Sequence, residues 1–461
     1  MSPSCPHRHL QLDVSSHAAE AGFQRLPLAK RQAATTPAGR AGTEDAVAEH
    51  ARLEALFPGP LVLPGDALAV DPKEPPQSLR SWIQDNMRNP VTQRRKTIYV
   101  VPAPQVGPAV SKTVSSWTVP SPSRAASLKG KCEAPDVELV RQYLEAFYYP
   151  LPVRLLPKEV RLVPWTGGNA AGRSKKQQDG PQYIGLQVGG IVTRITTRRC
   201  PDGAFGRQLR LSNILDAALD ALPDDAYALV MLVAHDTYED EHDDFCCGLA
   251  YGGSRIAVVS FARYHPLLDE AAGVDRDHAW PFAHCAAFVE RLCRGAAAAG
   301  SRKKRKVDNS QVTTAAQPLA DIIKKTLEAG ARSDGDLSAL WLSRVARTVA
   351  HEVGHCFCLT HCRYYACSMQ STTCVAEDLR QPPYLCPVCL AKLTRAVRDV
   401  SKGAFDETRF LIERYTTLAR FCKQWERAAM FAGYRCWLEK RIDALQGGLP
   451  AERDLGNQEL F

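Results

Sequence analysis

The sequence predicts an α/β chain, and three observations carry that expectation. Two apolar runs, Ala226 to Ala234 and Ile256 to Phe261, have the length and composition of strands buried on both faces. Val137 to Phe147 and Leu211 to Leu222 place apolar residues three and four apart, the spacing of amphipathic helices. A longer periodic segment follows Asp336 and carries paired histidines.

With 461 residues the chain is long enough for one large domain or two moderate ones, each with a real core. A composition of 45% hydrophobic and 23% charged residues excludes full disorder. The longest apolar stretch, around Ala226 to Ala234, is far short of the roughly 20 residues a bilayer requires, so no transmembrane helix is expected. The opening Met-Ser-Pro-Ser-Cys-Pro-His-Arg-His has no apolar signal core, so the 16 cysteines are expected in a reducing compartment, the cytoplasm and/or the nucleus. Clustered cysteines there point to metal and not to disulfides.

Taken in order, residues 1–95 show weak periodicity and read as a flexible region with one short helix near Glu49 to Leu56. Order is expected from Lys96 to Val101, a β-branched and aromatic run closed by Pro102 and Pro104, and residues 96–293 read as a subdomain with a mixed sheet. Within it Val153 to Val163 looks extended, and Asp236 to Asp244 reads as an acidic loop. Residues 294–335 turn to Ala, Gly, Ser, Lys and Gln around a helix at Leu319 to Glu328, the composition of an insertion or linker. Residues 336–400 hold the histidines and a cysteine cluster, and 401–461 read as C-terminal helices.

Asp336 or Ser338 can cap a helix in which Leu342, Val345, Ala346, Val349 and Val353 form an apolar stripe. His351 and His355 are four apart, so both imidazoles leave one helical face about a turn apart, the spacing a tetrahedral zinc requires. Glu352 sits beside them and can take a proton from a water that the metal has made acidic. His361 is six residues beyond His355; two helical ligands plus one past the helix end leave a coordination position open.

Cys362, Cys367, Cys386 and Cys389 read as C-x4-C, eighteen residues, then C-x2-C, a donor set for a closed structural zinc. Cys356, Cys358 and Cys374 leave room for a different set of four. Cys132, Cys200, Cys246 and Cys247 lack ligand spacing and read as small buried apolar residues. Cys5, His7 and His9 read as a solvated tail with weak metal affinity.

The run His351-Glu352-Val-Gly-His355-Cys-Phe-Cys-Leu-Thr-His361-Cys362, followed by Cys367-Ser-Met369 and Cys386-Pro-Val-Cys389, resembles the archaemetzincin family of metallopeptidases. More loosely, Ala226 to Arg263 resembles the strands before the family's active-site helix. The resemblance implies a metzincin-like zinc-peptidase domain with a twisted mixed sheet and two zinc ions. His351, His355 and His361 would hold the catalytic one, Glu352 would be the base and Met369 the floor beneath the metal. Cys362, Cys367, Cys386 and Cys389 would form the family's second zinc site, and the substrate would be a short peptide.

One departure bears on activity: where the family has glycine three residues after the second histidine, this chain has Cys358. Glycine suits a sharp helix end with positive φ. If the helix instead ran on, Cys358 would sit seven residues after His351 on the same face and could replace His361 as a ligand, leaving a catalytically impaired zinc scaffold or peptide-binding module. In the active reading a peptide lies along an edge strand, Ile256 to Ser260 being the candidate.

The net charge is +8, and Arg302 to Lys306 alone supplies five cations, a run that resembles a nuclear import signal read by an acidic receptor. A nucleic-acid surface is not expected: between Cys367 and Cys389 the one cation is Arg380 and the one aromatic ring is Tyr384.

Overall fold

In the computed structural model the described residues are 5, 7, 9–125, 132–166, 180–300, 312–313, 317–328, 336–401 and 403–447. The basic run Arg302 to Lys306 lies outside them. Among the described residues no helix is long and apolar enough to cross a membrane.

The centre is a five-stranded mixed sheet of β1 (Thr97–Val101), β2 (Val153–Leu155), β3 (Ala226–Val233), β4 (Gly248–Tyr251) and β5 (Ile256–Ser260), in the order β4-β5-β3-β1-β2. All neighbours are parallel except the edge strand β4, which runs antiparallel to β5. Alternation along β3 sends Ala228, Val230 and Leu232 into one core and Leu229, Met231 and Val233 into another, so every residue of the strand is buried. That two-sided burial is why Ala226 to Val233 is a continuous apolar run with no period-two pattern.

On one face lie α1 (Val137–Phe147), α3 (Leu337–Cys356) and the C-terminal pair α5 (Glu407–Gln424) and α6 (Ala429–Gly447), with α4 (Pro387–Arg398) after the cysteine cluster. The other face is covered by α2 (Leu211–Ala221) and a six-stranded sheet running from Asp236–Tyr238 to Gln105–Val106. Helix α3 starts where Asp336 accepts a hydrogen bond from the Ala339 amide at 2.9 Å. Its polar residues are neutralised inside the core: Arg344 pairs with Asp269 at 2.7 Å, and Arg347 pairs with Asp378.

Three expectations are corrected, and a fourth, the extended run from Val153 to Val163, resolves into parts. Residues 9–95 are not flexible. They form short helices, among them Glu44–Leu53 and Leu79–Ile83, and bury Leu10, Phe57 and Trp82 in the main core. Their helices are too short to set up a long period, and they both close a small core of their own around Ala18, Phe23, Val62 and Leu68 and cover other elements; the Trp437 indole donates to Leu56 O at 3.0 Å across the core. Val153 to Val163 is two strands in different sheets, Val153–Leu155 and Val160–Val163. Asp236 belongs to a strand and is fully buried, its charge met by Arg263 at 2.6 Å. Ile256 to Ser260 is an interior strand, flanked by β3 and β4, so the edge is Gly248–Tyr251.

Candidate active site and metal centres

Helix α3 ends at Cys356, and the chain turns back at once. The Cys358 amide donates to His355 O at 2.8 Å and the Leu359 amide to Gly354 O at 3.2 Å, the paired bonds of a Schellman end. Cys358 occupies the left-handed position of that motif with φ of 56°. It therefore does what a glycine would do there, at a backbone cost of about 1 kcal/mol. Its Sγ lies 3.3 Å from Met87 O and is not among the clustered ligand atoms, which corrects the expectation that it could replace His361.

The turn returns the chain so that the ligand atoms of His351, His355 and His361 all lie within 4.8 Å of one another. His351 Nδ1 is 2.6 Å from Ser368 O and His355 Nδ1 is 2.7 Å from Leu359 O. A carbonyl can only accept, so both Nδ1 atoms carry the proton and both Nε2 atoms present lone pairs. Those two Nε2 atoms face each other at 3.0 Å, an arrangement a shared cation relieves and a shared hydrogen bond cannot satisfy without protonating a ring. Burial and the neighbouring imidazoles push the His351 ring well below its ordinary value and the His355 ring down to about 4, the unprotonated state that metal ligation needs. His361 is half-buried, with Nδ1 3.5 Å from Glu74 Oε1.

Glu352 points to the edge strand. A Cβ at Gly248 would lie 2.6 Å from Glu352 Oε1, so β4 can pass this close only with glycine there. Burial, reinforced by Asp378 and opposed by Arg347, raises the Glu352 carboxyl to about 8. Met369 is fully buried beside the helix, and a Cβ at Gly354 would meet its Sδ at 2.5 Å. A Cβ at Gly252 would meet His355 O at 2.5 Å.

Behind this site the sulfurs of Cys362, Cys367, Cys386 and Cys389 lie within 4.8 Å of one another, all buried, with Cys362 and Cys386 at 3.5 Å. The Cys386 and Met369 amides donate to Cys367 Sγ at 3.2 and 3.5 Å, as backbone donors do around thiolates. Burial pushes the Cys386 thiol up; four crowded buried sulfurs ionise together only around a cation, and the all-sulfur donor set fits a closed zinc site. Cys356, Cys358 and Cys374 stand outside this group. The two sites are one construction: Ser368 O holds His351, Met369 packs under Gly354, and the Cys362 amide donates to Met369 O at 2.7 Å.

Sequence reasoning missed the residues that brace the helix end. The Trp82 indole donates to Phe357 O at 2.8 Å, and Gln77 joins Cys358 O at 2.9 Å to the Thr360 amide at 3.2 Å. Nothing local marks these residues, which come from the stretch that reads as flexible. Gly248, Gly252 and Gly354 were visible as glycines, but what each must avoid comes from a distant element.

Three imidazoles beside a buried carboxylate, set below an open sheet edge and above a four-sulfur cluster, define a zinc metallopeptidase. The family model described as peptidase family M54 matches residues 333–395, the stretch that contains both donor sets. Archaemetzincin-2 of Macaca fascicularis is 22% identical over 407 residues, covering 87% of this chain and 80% of the relative. Archaemetzincin-2 of Homo sapiens is 24% identical over 367 residues, covering 79% and 74%. The crystal structure of archaemetzincin from Methanopyrus kandleri aligns with 66% of this chain and 97% of its own, at 15% identity and a TM-score of 0.30. The chain is thus similar to the archaemetzincins, most specifically over residues 333–395.

Proposed function

We propose that this chain hydrolyses peptide bonds of short peptides, with His351, His355 and His361 holding a catalytic zinc and Glu352 acting as general base, and with a second, structural zinc on Cys362, Cys367, Cys386 and Cys389. When bound, zinc supplies Lewis acidity, polarising a carbonyl and making water a better acid. Glu352 receives the proton of the attacking water at its carboxylate, and the burial that raises its pKa makes it a stronger proton acceptor. Burial beneath β4 keeps the carboxylate from bulk water. The substrate backbone adds antiparallel to the unpaired side of Gly248–Tyr251, where main-chain hydrogen bonds supply affinity without reading side chains. Met369 acts as a packing floor for the helix that carries the ligands.

The observation that carries this reading is the meeting of three ligand atoms within 4.8 Å beside Glu352. Against the rival, an impaired scaffold or peptide-binding module in which Cys358 disturbs the metal site, stands the φ of 56° at which Cys358 closes the helix as a glycine would. The test is Glu352→Gln, assayed for zinc content and peptide hydrolysis. Zinc is expected to stay while turnover falls by about 10²- to 10⁴-fold. Unchanged turnover would remove Glu352 from the mechanism.

A further inference from the structure

Cys5 and His7 are not the solvated residues that the sequence suggests. Cys5 and His7 reach His278 and Cys285, and one ligand atom from each of the four lies within 4.8 Å of the others. His9 is exposed and outside the group. We propose that Cys5, His7, His278 and Cys285 form a third metal site, which takes a zinc ion and fastens the start of the chain to the segment between Asp275 and Phe288.

Several independent observations point at the same centre. His278 is 5% exposed, and its Nδ1 lies 2.8 Å from Asp275 Oδ2. A carboxylate partner on Nδ1 leaves the Nε2 lone pair free, the arrangement in which an outer carboxylate orients a metal-bound imidazole. That Nε2 is buried without a hydrogen-bond partner, and so is His7 Nδ1. Buried ring nitrogens left unpaired are costly, and one cation satisfies both. Opposite them the sulfurs of Cys5 and Cys285 approach to 3.2 Å, and both cysteines are free. The amides of Phe288 and Ala287, at the start of the helix Ala286–Gly300, point to the Cys285 sulfur.

The rings are held in place. His278 stacks on Phe288 at 4.1 Å with 6° between planes, and His7 lies 5.1 Å from Phe282. Backbone bonds set the same register, since the Ala286 amide donates to His9 O at 2.9 Å and Leu10 bridges to Cys285. Two sulfurs and two nitrogens fill a tetrahedral shell and leave no open position, so the site is structural. Its effect reaches the cysteine loop through Trp280, whose amide donates to Leu379 O at 2.9 Å.

The test is zinc stoichiometry by elemental analysis on the full chain, purified under reducing conditions, for the parent and for the double variant Cys5→Ser, His7→Ala. The expected result is three zincs per chain in the parent, one for each donor group, and two in the variant. The same zinc content in both would overturn the proposal. Cobalt substitution gives a second readout: the parent-minus-variant spectrum should carry thiolate-to-metal charge transfer and the visible bands of tetrahedral cobalt. A flat difference, or Cys5 and Cys285 recovered as a disulfide from the reduced protein, would also overturn it. Should the double variant fold poorly, His278→Gln probes the same site from the other side. Failure of the catalytic reading would appear as absent turnover and leave this third equivalent in place.

Discussion

At the scale of single residues, Cys358 and Gly248 show how backbone space governs this site. Cys358 sits in the left-handed region with φ of 56°, where a Cβ is disfavoured and glycine is at ease. Cys358→Gly should raise the unfolding free energy by about 0.5 to 1 kcal/mol, the relief of strain offset by glycine's larger unfolded-state entropy. Denaturant melts read this directly, and a lower stability would mean that the contact of Sγ with Met87 O outweighs the strain. Gly248→Ala tests the opposite case: its Cβ would lie 2.6 Å from Glu352 Oε1 and must displace the carboxylate. Zinc content should hold while kcat/KM falls by about 10²-fold, the usual consequence of misplacing a catalytic group by an ångström. His351, Glu352 and His355 were readable from spacing because consecutive turns of one helix fix their relative positions, whereas His361 lies past the helix end and is brought to them by the turn at Cys358. The acceptors that fix the tautomers of His351 and His355, Ser368 O and Leu359 O, were not readable.

At the scale of elements, the turn after α3 is held from outside itself. Trp82 donates to Phe357 O while its ring fills the core, and Phe357 stacks on Tyr148 at 5.1 Å. Trp82→Ala should cost about 3 to 5 kcal/mol in stability and also loosen the return of the chain to His361. Activity should then decline at temperatures below the global melting transition, which parallel activity and circular-dichroism scans would detect; coincident loss of both would confine Trp82 to general packing. The edge strand was misplaced in the sequence reading for a related reason. Ile256 to Ser260 and Gly248 to Tyr251 are both short, and only pairing decides that the former has β3 and β4 on its two sides. Strand identity is local, but strand order is not.

At the scale of the molecule, neutral groups buried on folding set the acid limit. His235 is 1% exposed, and burial pushes its imidazole down to about 4 from an ordinary 6.5. A pKa lowered by folding means the folded state disfavours the proton, so this contribution is whole above pH 6.5 and is lost as pH falls through 4. The loss is on the order of 3 kcal/mol. Between those pH values the unfolding free energy of His235→Phe should have a slope shallower than the parent's by about one proton, and equal slopes would show that His235 is not buried neutral.

What the sequence determined by itself is what short-range geometry can encode: the alternation of helices and strands, the two-sided burial of β3, and two donor sets whose members are close along the chain. What only the tertiary structure decided depends on contacts between residues far apart in sequence. These are the order of strands that leaves Gly248–Tyr251 at the edge, the packing of residues 9–95 against the helix end, the Arg263 that neutralises Asp236, and the meeting of Cys5 and His7 with His278 and Cys285. Spacing along a helix is set by covalent geometry and reads off the letters. A contact across some 270 residues is set by packing, and no local pattern records it.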